Sequence, residues 1–502
     1  MGMQNFWCTI SFFLGLNLLA DAQLLNSTHF NVWPDTSCLD DVAHSQLHTV
    51  DIDTSLRSNG SNLSLHVLGS LQGGINQHDS IMGFGFAGVM LNWCPTHRIS
   101  ANLGYVMAGG KWPGYFSSMT SQGFLPGMGY AVNDRDGVVH SHIPFGSVMM
   151  KGKRFFSAEC GIGKQFWGDG YRSMILSDNA APRAFLRFDT EFWKVHYTNL
   201  WLRLDDISLM QRWPQRRHKY AALHSLSFQA TKRLNFAFYE MVIWQDRDSM
   251  SRRNMDLNYL NPVIFYRPVE YSVGSPDNVL LAFSFRYNAG KHVMIYGQFL
   301  LDEFNLAIFR TMQKWWGNKI GGQLGLSLHN VIPNVSWRSE LNIARPFTYA
   351  HGSPVQAWTH LNQPMAHPLG ANFAELVNQI IWKRNSWSIS ALTNIAFYGR
   401  DFDINSDGVV DNFGGNITRS YENPFGGPYG HSMFQGMHNA VIFTQMDVAF
   451  SPVRAKPFEV FLQPIARIEV SNASPYTPKL VSETIITMGI RTTGLLMPKW
   501  DY

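Results

Sequence analysis

Residues Val335 to Ile343, VSWRSELNI, alternate with one exception, Ser339. Val335, Trp337, Leu341 and Ile343 fall on one face, and Ser336, Arg338, Glu340 and Asn342 on the other. Period two is the mark of a strand with one apolar and one polar side. The same separation recurs in Phe458 to Val470, where Phe458, Val460, Leu462, Ala466 and Ile468 oppose Glu459, Gln463, Arg467 and Glu469. Leu200, Leu202 and Leu204 alternate likewise with Asn199, Arg203 and Asp205. A membrane barrel gives this pattern, and so does a soluble sandwich. The connections separate the two.

Short and long connections alternate along the chain. Tight turns are read near 94–97, 151–153, 190–194, 232–235, 288–291, 330–334, 383–386 and 451–456. Between them lie long polar connections at about 109–142, 165–181, 210–220, 246–278, 302–319, 344–372, 398–437 and 471–482. Outer-membrane barrels have short periplasmic turns and long extracellular loops. The rhythm therefore predicts an all-β transmembrane antiparallel barrel of about 18 strands, with both ends of the wall on the periplasmic side.

Composition agrees. Charged residues make up 15% and aromatics 14%. After the N-terminus no apolar run reaches the roughly 18 residues that a spanning helix needs, whereas a barrel strand shows lipid only every second side chain. A net charge of +4 is too small to argue for nucleic acid, whose binders gather basic residues on one face.

Residues 1–22 read as a signal peptide, with a mostly apolar core from Phe12 to Ala20 and the small-x-small site Ala20-Asp21-Ala22, although no Lys or Arg precedes the core. Residues 23–60 read as a short, irregular periplasmic lead-in and 61–502 as the barrel. Cys38, Cys94 and Cys160 remain after cleavage, an odd count that leaves room for one disulfide. Pro464 predicts a bulge or kink inside a strand. The final aromatic Tyr502 suits barrel-assembly recognition, while Pro498 predicts that the last strand stops earlier.

The stretch GKQFWGDGYRSMILSDNAAPRAFLRF (163–188) is too rich in Gly, Asp, Asn and Pro to be helix or strand throughout. Flat apolar faces beside fixed polar groups can hold a sugar ring, so Trp167, Asp169, Tyr171, Arg172, Ser177 and Asn179 are candidate polysaccharide-binding residues. The competing reading is a loop that packs its own aromatics as a plug. Arg212, Arg216 and Arg217, followed by His218 and Lys219, lie in one long loop, and Arg247, Arg252 and Arg253 open another. Such forks bind the phosphates of lipopolysaccharide or an acidic capsular polymer; solvated loop charge is the alternative. Trp315-Trp316 and similar aromatics are either interfacial belt or binding platform.

Asp403, Asn405, Asp407, Val409 and Asp411, with Gly408 at the sixth position, form the first nine residues of a calcium loop. Position twelve is Gly414, so water, Asp401 or another loop must complete the shell of a structural Ca2+. No zinc-binding, nucleophile-elbow or phosphate-loop motif is present, and a non-enzymatic role is expected. Asp169 and Asp302-Glu303 are the carboxylates a glycan hydrolase would need.

Phe166-Trp167-Gly168-Asp169-Gly170-Tyr171-Arg172-Ser173 and Leu176-Ser177-Asp178-Asn179-Ala180-Ala181-Pro182 resemble the Wzi family of capsule-assembly outer-membrane proteins. Asn261 to Tyr271 and Gln298 to Phe304 look like its branch in gliding bacteria, which includes proteins labelled gliding-motility protein RemB. The resemblance covers roughly residues 60–500. It implies an eighteen-stranded barrel in a Gram-negative outer membrane, whose outer loops bind and help retain surface exopolysaccharide. It also implies gliding or secretion machinery as a partner, beside the outer-membrane lipid and lipopolysaccharide that the barrel and its basic loops would meet. The lead-in is short for the family's periplasmic helical bundle. An occluded pore for oligosaccharide and a glycan hydrolase are the alternatives.

Overall fold

The computed structural model describes residues 47–50 (as backbone), 62–77, 80–96, 98–121, 123–133, 137–152, 155–207, 216–247, 253–262, 277–452, 458–472, 478–492, 499 and 501. Eighteen antiparallel strands form the wall. The first six are β1 (Asn62–Asn76), β2 (Ile81–Thr96), β3 (Ile99–Lys111), β4 (Val139–Lys151), β5 (Phe156–Trp167) and β6 (Arg183–Phe192). Next come β7 (Val195–Asp206), β8 (Arg217–Gln229), β9 (Leu234–Gln245), β10 (Asn278–Asn288), β11 (Val293–Glu303) and β12 (Lys319–His329). The last six are β13 (Val335–Ala344), β14 (Phe373–Arg384), β15 (Trp387–Arg400), β16 (Met437–Phe450), β17 (Phe458–Ser471) and β18 (Lys479–Thr492).

Each strand pairs with the next, and β1 closes the circle on β18 from Ser70↔Arg491 to Asn76↔Ile485. All eight expected tight turns lie at one end. The long connections lie at the other, together with one short link at 77–80. Gly290 (φ 116), Asn330 (φ 51), Asn334 (φ 64) and Asn385 (φ 55) supply the positive φ that tight hairpins need. Residues 288–291 and 403–411 are therefore at opposite ends.

On β13 the expected faces are observed. Leu341 and Ile343 are exposed outside, while Arg338, Glu340 and Asn342 are buried in the lumen. Leu324, Leu376, Ile442, Leu462 and Ile486 continue the exposed apolar surface around the wall, as a transmembrane barrel requires. On β7 the faces are reversed. Leu200, Leu202 and Leu204 are buried in the largest apolar cluster inside the barrel. Trp201 points outward, beneath a segment of the chain that lies on the wall: its Nε1–H donates to the Tyr259 carbonyl (2.8 Å), and Tyr259 is buried against Trp244. Alternation fixes a strand's two faces but not which one meets lipid.

The lumen is filled by connections that turn inward. Met174, Ile175, Leu176, Trp358 and Met365, from 168–182 and 345–372, pack with Leu200, Leu223, Met241 and Ile243. Leu125 and Met128 pack with Phe84, Phe86 and Val106 on β2 and β3. Each such side chain contributes about 1.5–3 kcal/mol on burial. That matches or exceeds the roughly 1–2 kcal/mol of backbone entropy lost per ordered residue, so the loops fold as core.

Two sequence expectations are corrected. Pro464 makes no bulge: β16 and β17 keep register across it, from Gln445↔Ile465 to Val448↔Leu462, and only the pairs between are lost, where Pro has no N–H to give. The lead-in is not wholly irregular, because Leu47–Val50 is a strand paired with β5. Cys94 and Cys160 are free thiols; Cys38, the signal segment and Tyr502 lie outside the described residues. The last strand does stop before Pro498, at Thr492.

Leu324 sits mid-strand on the lipid face. Leu324→Arg is expected to cost about 2–4 kcal/mol in unfolding from phospholipid vesicles. A cost near zero means that this face does not meet lipid.

Candidate functional site

The stretch after β5 is the inner plug, and one carboxylate holds its tip. Glu340 of β13 accepts the backbone N–H of Tyr171 (2.7 Å) and of Arg172 (3.0 Å), as well as the Tyr296 hydroxyl (2.7 Å) and the Asn342 amide (2.9 Å). A Cβ on Gly170 would overlap Glu340 Oε2, and one on Gly168 would overlap Gln298 Nε2. Gly170 is required by close approach, because a Cβ would also meet the Arg172 carbonyl oxygen, and Gly168 by its φ of 147. Arg172 is paired with Glu375 and Asp501 (3.0 Å each), and Asp169 with Arg286 (3.1 Å). Asp501 also accepts the Tyr171 hydroxyl (2.6 Å), so the chain end lies inside the barrel, against the plug. Buried charges in such fully paired sets fix one arrangement, because removing one partner strands the other.

Above the plug, at the wide-loop end, is a cavity of about 600 Å³. Its walls are the tops of β15–β18, the 310 turn Gly114–Phe116, Asn179 of the plug and Gln363 of the following inward loop. Glu483 of β18 caps that turn, accepting the N–H of Gly114 (2.8 Å) and of Tyr115 (3.1 Å). Arg400 and Arg467 both pair with Glu469 (3.1 and 2.6 Å), which also accepts the Tyr398 hydroxyl (2.7 Å). The Arg400 side chain is 50% exposed, which leaves guanidinium edges open to the cavity. Arg467 lies over the Tyr115 ring at 5.7 Å. Burial and the Glu483 charge push the Tyr115 hydroxyl above its ordinary range, so it is a neutral donor. Aromatic faces, guanidinium groups and fixed amides thus converge on one hollow.

Sequence reasoning found Asn179 of this set and missed Tyr115, Tyr398, Arg400, Gln363 and Lys499. Tyr398 and Arg400 share a strand face by period two, which was the one local signal. Trp167 has no exposed surface and packs against Tyr239 (5.7 Å). Asp169, Tyr171, Arg172 and Ser177 are buried as well, so the competing plug reading describes where the structure places them. Arg216 lies over the Tyr130 ring (4.5 Å) and 3.7 Å from Asp205, and Arg217 is exposed at the start of β8. Arg212 and Arg252 lie outside the described residues. Two other cations of those clusters are not solvated charge. Lys219 is buried, donating to the Ala357 carbonyl (3.0 Å) and the Thr359 hydroxyl (2.8 Å), and Arg253 is held by Asp277 and Asp256 (2.7 Å each). Trp316 packs against Tyr421 (4.5 Å) in the outer loops rather than in a membrane belt. Asp169 and Asp302, considered as hydrolase carboxylates, are each tied up in an ion pair with a buried cation.

In the 403–411 loop, Asp403 accepts the N–H of Asp407 (3.1 Å) and of Gly408 (2.7 Å), and Asp411 accepts that of Ile404 (3.0 Å). Among the described residues, no three His, Cys, Asp or Glu side chains gather at metal-ligand distance. Gly414 takes φ 75 and packs against Phe347, which explains why no acidic residue stands at the twelfth position. Asp401 is committed elsewhere, to Phe413 N–H (2.9 Å) and Arg419 (3.1 Å).

No family model matches the chain, and no curated protein matches it. Among solved structures it is similar to Wzi of Escherichia coli, described as an outer-membrane protein involved in group 1 capsule assembly and a carbohydrate-binding β-barrel. That match has a TM-score of 0.50 and 12% identity, and it covers 84% of each chain. The likeness is one of fold. OpdL of Pseudomonas aeruginosa matches at a TM-score of 0.42 and 7% identity, over 85% of this chain and 98% of that one. OccAB4 of Acinetobacter baumannii matches at 0.45 and 6%, over 87% and 100%.

Glu340→Ala removes the acceptor for two plug N–H groups and is expected to raise single-channel conductance in planar bilayers well above that of the unaltered protein. Unchanged conductance means that the plug is held without Glu340.

Proposed function

We propose that the chain is a Gram-negative outer-membrane protein that retains surface polysaccharide at its wide-loop end, in the cavity above the plug. The cavity itself carries this reading. Its aromatic faces suit the apolar side of a sugar ring, and its amides and guanidinium groups suit hydroxyls and carboxylates. The description of Wzi as carbohydrate-binding supports the same class of ligand. The buried plug residues Trp167, Asp169, Tyr171, Arg172 and Ser177 serve by shaping the cavity floor, whereas Asn179 touches the glycan. Arg216 and Arg217, with Arg212, meet lipopolysaccharide phosphates at the rim. The role is binding, with no catalytic step.

The filled lumen favours retention over transport. A part in gliding motility, implied by the sequence resemblance, is proposed alongside capsule retention. A deletion strain that loses capsule stain but spreads normally assigns the protein to capsule, and the reverse assigns it to motility. Asp403, Asn405, Asp407, the Val409 carbonyl and Asp411 are proposed to hold a structural Ca2+ that stiffens the 401–436 loop. With the twelfth ligand missing, the affinity belongs in the weak extracellular range, about 10⁻⁴–10⁻³ M.

Arg400→Ala and Tyr115→Ala are each expected to weaken binding of purified capsular polysaccharide about tenfold, a loss of about 1.4 kcal/mol. Binding equal to that of the unaltered protein in both variants sinks the cavity reading. Ca2+ at about 1 mM is expected to protect 401–436 from proteolysis, and Asp407→Ala to remove that protection. Protection that is independent of both eliminates the ion.

A further inference from the structure

β18 ends at Thr492, paired with Phe458 beside the tight turn at 451–456 and so at the periplasmic end of the wall. Lys499 nevertheless borders the cavity beneath the wide loops. The chain has therefore turned back into the barrel. Asp501 is held there by Arg172 (3.0 Å), the Tyr171 hydroxyl (2.6 Å) and the Asn394 amide (2.9 Å). Lys499 donates to the Tyr171 carbonyl (2.9 Å) and the Asp178 carboxylate (3.0 Å). Its ammonium also lies over the Tyr171 ring, 4.8 Å from the centroid. These contacts fix the ammonium in place, yet the side chain is 26% exposed.

Cations outnumber carboxylates at both charged parts of the cavity. At the floor, Lys499 pairs with Asp178, whose carbonyl accepts from Lys164 (2.9 Å). Buried Arg183 donates to the neighbouring Ser177 carbonyl (3.4 Å). In the wall, Arg400 and Arg467 share Glu469. The other two acids nearby are occupied: Glu483 by the N–H groups of Gly114 and Tyr115, and Asp501 by Arg172. A surplus of positive charge in a half-buried hollow is screened far less by salt than one on an open surface. The remaining lining is apolar, with Phe124, Pro126, Pro364 and Leu369 in it. A lone ion has no use for such a face, and about 600 Å³ falls within the roughly 300–1,000 Å³ of sites for organic ligands.

We propose that the cavity selects an acidic sugar. Its carboxylate or phosphate is held by the Lys499 ammonium, with Arg400 as a second cation, and its ring lies on the apolar lining. Both anions suit ammonium and guanidinium groups. This rests on the cavity being a glycan site, as proposed above. It adds that the segment after the last strand supplies the group that tells acidic sugars from neutral ones.

The test compares three forms of the purified capsular polysaccharide: native, carboxyl-reduced with carbodiimide and borohydride, and dephosphorylated with cold hydrofluoric acid. One of the two treatments is expected to weaken binding at least about tenfold, and it identifies the acid. Lys499→Gln is expected to weaken binding of the native polymer by a similar factor, while the neutralised polymer binds the variant and the unaltered protein alike. Lys499→Arg is expected to restore the preference. Equal binding of all three forms overturns the proposal, and so does native polymer binding unchanged by Lys499→Gln. An equal loss of native and neutralised polymer in that variant also overturns it, because Lys499 then only supports the plug. If the unaltered protein binds none of the three forms, the cavity reading fails by itself. In that case, or if the variant does not assemble, acetylation of Lys499 in the unaltered protein decides the anion site. Slower acetylation with glucuronate or inorganic phosphate than with glucose supports it, and equal rates reject it.

Discussion

Every backbone N–H and C=O that faces hydrocarbon must find a partner within the protein, because lipid offers none. For strands the solution is a closed ladder, and the register between β1 and β18 supplies the closure. Closing as many as eighteen strands has a consequence. A ring of this size encloses more space than its own inward side chains can fill, since eight strands already suffice for a packed interior. The chain resolves this by returning three of its long connections into the lumen, where apolar side chains form a core of the kind found in a soluble domain. Ion pairs at the plug tip then fix its position.

This arrangement changes what the buried charges are for. Glu340, Glu375, Asp501, Arg172 and Arg286 line what would otherwise be a channel, yet each is satisfied by another fixed group. Paired sets of this kind specify geometry more than they add stability. Where the plug ends, beneath the wide loops, a charged edge is left open at Arg400. The candidate binding surface is thus the upper boundary of a packed interior, and its residues come from widely separated parts of the chain: the end of β1, the 114–126 segment, the plug, the 345–372 loop, the last four strands and Lys499.

Much of this was legible in the residues. The turn-and-loop rhythm located all eight tight turns and the eight long connections but missed the short link at 77–80, because tight turns and long loops differ in composition as well as in length while that link resembles neither. The 163–188 stretch was singled out by its Gly, Asp and aromatic content. Both the plug and the sugar platform were consistent with it, since the same groups that hold a ligand also hold a neighbouring strand. Burial decides between those uses, and burial depends on residues more than a hundred positions away, such as Gln298 and Glu340. The basic run 216–219 mixed exposed Arg217 with buried Lys219 for the same reason: period two puts both on one face, but Lys219 is covered by the distant 345–372 loop, where Ala357 and Thr359 accept its ammonium, and Arg217 at the strand's start is not.

By itself the sequence determined that the chain would be a strand-built, membrane-type barrel with unequal ends. Period two and turn chemistry are local properties, encoded within a few residues. Only the tertiary structure decided which face of β7 meets the lumen, where the chain end lies, and which side chains border a common hollow. Those outcomes depend on how loops fill a space that exists only after the ring has closed, and no local pattern carries the dimensions of that space.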